Sequence, residues 1–84
     1  MFAKLFDTEK YGQILVKKDS ITDEDGEEVR FFFQPEDLGV CSVSLEFKHE
    51  NEDERFAACD KFFDSVTEES ATKMVADIMR RLEL

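Results

Sequence analysis

In its 84 residues the chain has no tryptophan, one proline, one histidine, three glycines and two cysteines. Each scarcity excludes something. Cys41 and Cys59 form no C-x-x-C pair and cannot build the dense disulfide framework that staples small secreted domains. The single histidine, His49, has no second histidine and no nearby cysteine, so a zinc site would lack ligands. Three glycines, with no G-x-x-x-x-G-K-[ST] or G-x-G-x-x-G pattern, leave nothing to cradle a phosphate. No serine sits in a G-x-S-x-G context. No segment approaches the ~18 consecutive apolar residues of a membrane span. The start, Met1 to Leu5, lacks the apolar run and cleavage pattern of a signal peptide. These absences lead to an expected cytoplasmic location, with no metal, no cofactor and no membrane partner.

What the chain has in quantity is phenylalanine and carboxylate. Nine phenylalanines and a 42% hydrophobic fraction argue for a packed core and against disorder. Twenty-one acidic residues against 11 basic ones give a formal charge of −10. A surface so negative repels phosphate backbones, which disfavours direct nucleic-acid binding and favours basic partners or plain solubility. One domain spanning 1–84 is expected, too small to enclose a roomy ligand cavity beside its core.

Four strand signals come first. Residues 2–6 and 11–18 are short, half-apolar runs separated by turn-like residues. Val29 to Gln34 contains Phe31, Phe32 and Phe33 and is stopped by Pro35, which cannot donate to a ladder. The last run alternates cleanly, with Cys41, Val43, Leu45 and Phe47 on one side and Ser42, Ser44 and Glu46 on the other. That period of two places one face on a core and the other in water.

Two helix signals close the chain. Asn51 caps a first turn of Glu52, Asp53 and Glu54, and carboxylates suit the positive end of a helix dipole. Phe56, Cys59, Phe63 and Val66 follow at helical spacing, with Phe62 beside them. Ser65 and Thr67 both offer caps for a second helix, and Ser65-x-x-Glu68 fits a capping box. Ala71, Met74, Val75, Ile78 and Leu82 form its apolar stripe. The order ββββαα predicts an α+β fold: a four-stranded antiparallel meander followed by two C-terminal helices packed on one face. Val43, Leu45, Phe47, Phe56, Phe63, Val75, Ile78 and Leu82 are expected in the core.

No motif dictates a chemistry. Asp23-x-Asp25-Gly26 invites a calcium-loop reading. With Gly26 at the sixth position, however, Ile21 and Phe32 fall at positions one and twelve, and neither can ligate a hard cation. Asp25-Gly26 reads better as a hairpin turn. An enzyme is therefore not expected.

Two surface features remain. Asp19, Asp23, Glu24, Asp25, Glu27 and Glu28 cluster in one loop, and Asp53, Asp60 and Asp64 line one side of the first helix. Ordered carboxylates can occupy a nucleic-acid-binding groove, with a partner's Lys and Arg binding them in place of phosphates. The second feature is apolar residue on the outward face. If Ile14 and Val16 face the core, Leu15 does not; if Phe31 and Phe33 face it, Phe32 does not. The first strand leaves open whether Phe2 and Phe6 or Ala3 and Leu5 join them. Leu15, Phe32 and Phe6 are the candidate patch for a protein partner or a homodimer.

In size, acidity and lack of catalytic motifs the chain resembles small accessory and inhibitor proteins of bacteria and their phages. The likeness is one of composition and transfers no residue. The expected function is a non-enzymatic protein-interaction module acting through the apolar sheet face, the acidic surface or both. The alternative is an acidic nucleic-acid mimic that inhibits a DNA- or RNA-binding enzyme.

Overall fold

Phenylalanine and valine at alternate positions of the strands meet a helix pair on one side only. In a computed structural model, which describes residues 3–21, 26–35 and 39–82, four strands form one sheet in the order β1-β2-β3-β4. They are β1 (Ala3–Thr8), β2 (Gly12–Ile21), β3 (Gly26–Phe33) and β4 (Cys41–Lys48), each antiparallel to its neighbour. Helices α1 (Glu52–Ser65) and α2 (Glu68–Leu82) follow, and the meander with two C-terminal helices is the architecture that the hydrophobic pattern predicts.

The first turn is tight. Gly12 sits at φ +69°, a left-handed conformation that glycine adopts without strain. The Thr8 hydroxyl donates to the Gly12 carbonyl at 2.7 Å and accepts the Tyr11 N–H at 3.1 Å, which closes the hairpin. The β2–β3 hairpin is longer than expected, because Gly26 lies within β3, opposite both Ile21 and Lys48, and not in a turn.

Ile14, Val16, Val29, Phe31 and Phe33 of the sheet pack against Cys59 and Phe63 of α1, Val66, and Ala71 and Val75 of α2, all buried. The ring of Phe62 meets Phe31 edge-on at 6.4 Å and tilts against Phe47 at 5.8 Å. Such ring pairs add to simple area burial.

Three of the expected core residues are exposed. Leu45 is 36% exposed, Phe56 38% and Leu82 57%. The reason at Phe56 lies in the first turn of α1 alone, since Cys59 and Phe63 are buried as expected. The buried line of the helix is Arg55, Cys59 and Phe63, spaced four apart, and Arg55 takes the position that apolarity alone assigns to Phe56. Leu45 lies on an edge strand, where cover by the helix layer is thin, and Leu82 is the last residue of its helix.

The caps agree in part. The Asn51 side chain accepts the Glu54 N–H at 3.1 Å, as expected of an N-cap. The cap of α2 is Thr67 and not Ser65. Its hydroxyl accepts the Ser70 N–H at 3.2 Å, while the Ser70 hydroxyl accepts the Thr67 N–H at 2.9 Å. This is a reciprocal capping box with serine in the place of glutamate. Ser65 is the last residue of α1 and donates to the Phe62 carbonyl.

Candidate functional site

Strand register decides what each face of the sheet carries. Since Phe6 pairs with Ile14 and Lys4 with Val16, both lie on the helix-covered side, and Phe6 packs against the core. Phe6 is therefore not part of the open face. Leu5, which pairs with Leu15, takes its place and is 58% exposed.

The pairings continue across the sheet. Leu15 lies opposite Phe32, as expected, and Phe32 lies opposite Ser42. Leu5, Leu15 and Phe32 thus form one apolar row running across three strands on the side without helices. Val40, 70% exposed, extends it at the β3–β4 connection. Beside this row is a shallow depression of about 230 Å³, lined by Leu5, Leu15, Phe32 and Val40 together with Gln13 and Gln34.

The next rows toward the β2–β3 hairpin are charged. Lys17 lies opposite Arg30, and then Asp19, Glu28 and Glu46 stand in line across β2, β3 and β4. Like charges directly opposite one another repel, and contacts along the same strand, two residues apart, relieve this. Arg30 reaches Glu28 at 3.2 Å, and Lys48 reaches Glu46 at 3.4 Å. Lys17, Asp19, Glu28, Arg30 and Phe32 line a second, smaller depression of about 140 Å³. The open face is therefore banded: apolar, then basic, then acidic.

The helix-covered face holds the charged residues that the pattern does not anticipate. Lys4 reaches from β1 to the end of α1 and donates to the carbonyls of Phe63 at 2.7 Å, Val66 at 3.1 Å and Asp64 at 3.3 Å. Helix α1 has no basic residue in its own last turn, so a lysine some sixty positions away caps its negative end. Lys18 donates to Asp60 at 2.6 Å, and that hydrogen bond holds its ammonium above the usual lysine value. Both ammonium groups lie over the Phe63 ring, Lys4 at 4.8 Å and Lys18 at 5.3 Å from its centre.

The acidic candidates do not form one surface. Glu27 is buried on the helix-covered side, 6% exposed, and is not a solvated loop residue. Burial, with the Glu27 carboxylate adding to it, pushes the Cys59 thiol up and favours its protonated form. Glu28 and Asp19 are on the open face, whereas Asp53, Asp60 and Asp64 are exposed on α1, on the other side of the sheet. Asp60 is engaged by Lys18. Asp23, Glu24 and Asp25 lie outside the described residues.

His49 sits at the α1 N-terminus, where its Nδ1 accepts the Asn51 N–H at 3.4 Å and its Nε2 is 3.0 Å from the Glu54 carboxylate. The Arg55 guanidinium donates to the His49 carbonyl at 3.0 Å. These contacts tie the β4–α1 connection to the helix. Among the described residues no three His, Cys, Asp or Glu side chains gather as a metal site, and no helix is long and apolar enough to cross a membrane. No protein-family model matches the chain, and no curated protein or solved structure matches it.

Proposed function

We propose that the protein is a non-enzymatic interaction module whose working surface is the open face of the sheet. The observation that carries this reading is the row Leu5–Leu15–Phe32. An antiparallel sheet with helices on one side ordinarily carries polar residues on the other. Here three large apolar side chains are aligned across neighbouring strands there, with Val40 beside them. Single exposed apolar residues are ordinary, whereas an aligned group rimmed by charge is the pattern of a recognition surface. The rim is ready-made, since Lys17 and Arg30 stand on one side of the row and Gln13 and Gln34 on the other. Mimicry of nucleic acid is the less supported reading, because the described carboxylates are divided between opposite sides of the sheet and one of them is buried.

The test is capture from extracts of the source cell, with the wild type and Phe32→Glu side by side, followed by a salt titration. Apolar burial is not screened by salt, whereas exposed charge pairs are. The expected result is a complex that withstands raised salt and is lost with Phe32→Glu. A complex that Phe32→Glu retains and moderate salt dissolves would assign the function to the acidic surface.

A further inference from the structure

The order of the bands on this face decides how a second copy of the chain could meet it. Along β2 the open-face positions are Gln13, Leu15, Lys17 and Asp19, and along β3 they are Phe32, Arg30 and Glu28, with Gln34 just past the strand's end beside Gln13. The sequence of bands from the β1–β2 turn to the β2–β3 hairpin is thus amide, apolar, basic, acidic. Two copies of such a face can meet through a two-fold axis lying in the plane between them, in one of two principal directions.

An axis parallel to the strands stacks every band on itself. Lys17 and Arg30 then face their own copies, and so do Asp19, Glu28 and Glu46. For subunits that each carry −10, this arrangement is repulsive in both charged bands. An axis along the apolar row does the opposite. Leu5, Leu15 and Phe32 meet their own copies, while every other band is reflected to the far side of the row. The Lys17–Arg30 band of each copy then falls on the Gln13–Gln34 band of the other, with Asp7 next to Gln13 in the ladder. The acidic band falls against the β1–β2 turn, where Glu9 and Lys10 cancel. The two acidic bands end up roughly 27 Å apart, or about four band spacings of ~6.8 Å. That is several times the ~8 Å screening length at physiological ionic strength.

We infer that the open face is occupied by a second copy of this chain, packed sheet on sheet with strands antiparallel and the two-fold axis along the Leu5–Leu15–Phe32 row. The inference rests on the reading of this face as an interaction surface and names its partner. Aligned sheets pack about 10 Å apart and cross near −30°, a spacing that brings Lys17 of one copy to Gln13 of the other. Three bands across four strands cover on the order of 400 Å² per copy, about half of what a standard stable interface buries on each side. The dimer is accordingly weak and reversible. It tightens as salt rises, because salt screens the repulsion between the two negative subunits and leaves the apolar contact in place.

Sedimentation equilibrium of the full chain at low and high salt tests this. The expected result is concentration-dependent growth from 9.8 kDa toward twice that mass, stronger in high salt and absent in Phe32→Glu. Exposed Gln13 supplies a second pair of variants that leaves the core alone. Gln13→Glu adds negative charge to a chain that already has an excess of it, yet should tighten the dimer about fivefold through two new contacts with Lys17. Gln13→Lys should loosen it by a similar factor. Net-charge repulsion alone predicts the reverse order, and observing that order would overturn the proposed geometry. A dimer indifferent to Phe32→Glu would place the contact elsewhere and overturn the inference. A wild type that stays at 9.8 kDa at every accessible concentration would also overturn it. In that case Phe32-dependent capture of a different protein would preserve the interaction reading, and its absence would end that reading too.

Discussion

The two faces of the sheet break the same rule in opposite directions. The helix-covered face, which should be apolar throughout, carries Lys4, Lys18 and Glu27. The open face, which should be polar, carries Leu5, Leu15 and Phe32. On the covered side each lysine reaches defined partners, namely the carbonyls at the end of α1 for Lys4 and the Asp60 carboxylate for Lys18. A half-buried charge with partners is a structural device, and Lys4 completes a helix end that would otherwise leave carbonyls unsatisfied. On the open side no described helix covers the apolar row, in which Leu15 and Phe32 are half-buried and Leu5 is exposed, and the proposed partner would supply the rest of its cover. Departures from alternation are therefore informative according to whether the same chain supplies the missing partner.

The covered face is most sensitive at Phe63, which is 1% exposed and lies beneath both lysines. Phe63→Ala should lower stability by about 3–5 kcal/mol in denaturant titrations, most of the margin of so small a domain. Phe56→Ala, one helical face away and 38% exposed, should cost about 1 kcal/mol or less. Equal losses at the two positions would contradict the burial of Phe63 and the exposure of Phe56.

A smaller effect is expected at Lys4. Lys4→Met keeps most of the aliphatic stem and removes the cap on α1. The expected loss is about 1–2 kcal/mol, the range for a charge-assisted cap at a helix C-terminus. Lys73→Met, at an exposed position of α2, should leave the midpoint unchanged within about 0.5 kcal/mol. If both substitutions were silent, the lysine cap would be an ornament of the fold and the covered face would carry its charges without structural gain.

Much of this was legible in the residues. The ββββαα order follows from the period of two in β4, the stop at Pro35 and the cap at Asn51. The meeting of Leu15 and Phe32 follows from the parity of β2 and β3. The parity of β1 was not legible, because Phe6 and Leu5 are both apolar and adjacent. Only the pairing of Phe6 with Ile14 decides between them. Arg55, Lys4 and Lys18 escaped because a sequence pattern ranks them by their charged ends, while their stems line the core and their ends find carbonyls or a carboxylate. Glu27 escaped for a similar reason: a run of six carboxylates between Asp19 and Glu28 reads as solvent-exposed unless the register turns one of them inward. The bands of the open face needed the register of all three ladders, and no single strand displays them.

The proposed association uses the open face and not the apolar residues left exposed around the helix layer. Methyl-resolved NMR over a dilution series from millimolar to micromolar protein compares the two sets directly. The account predicts concentration-dependent shifts at Leu5, Leu15 and Val40, with Leu45 and Leu82 unmoved. Shifts confined to Leu45 and Leu82 would contradict it and would move the working surface to the helix side of the sheet.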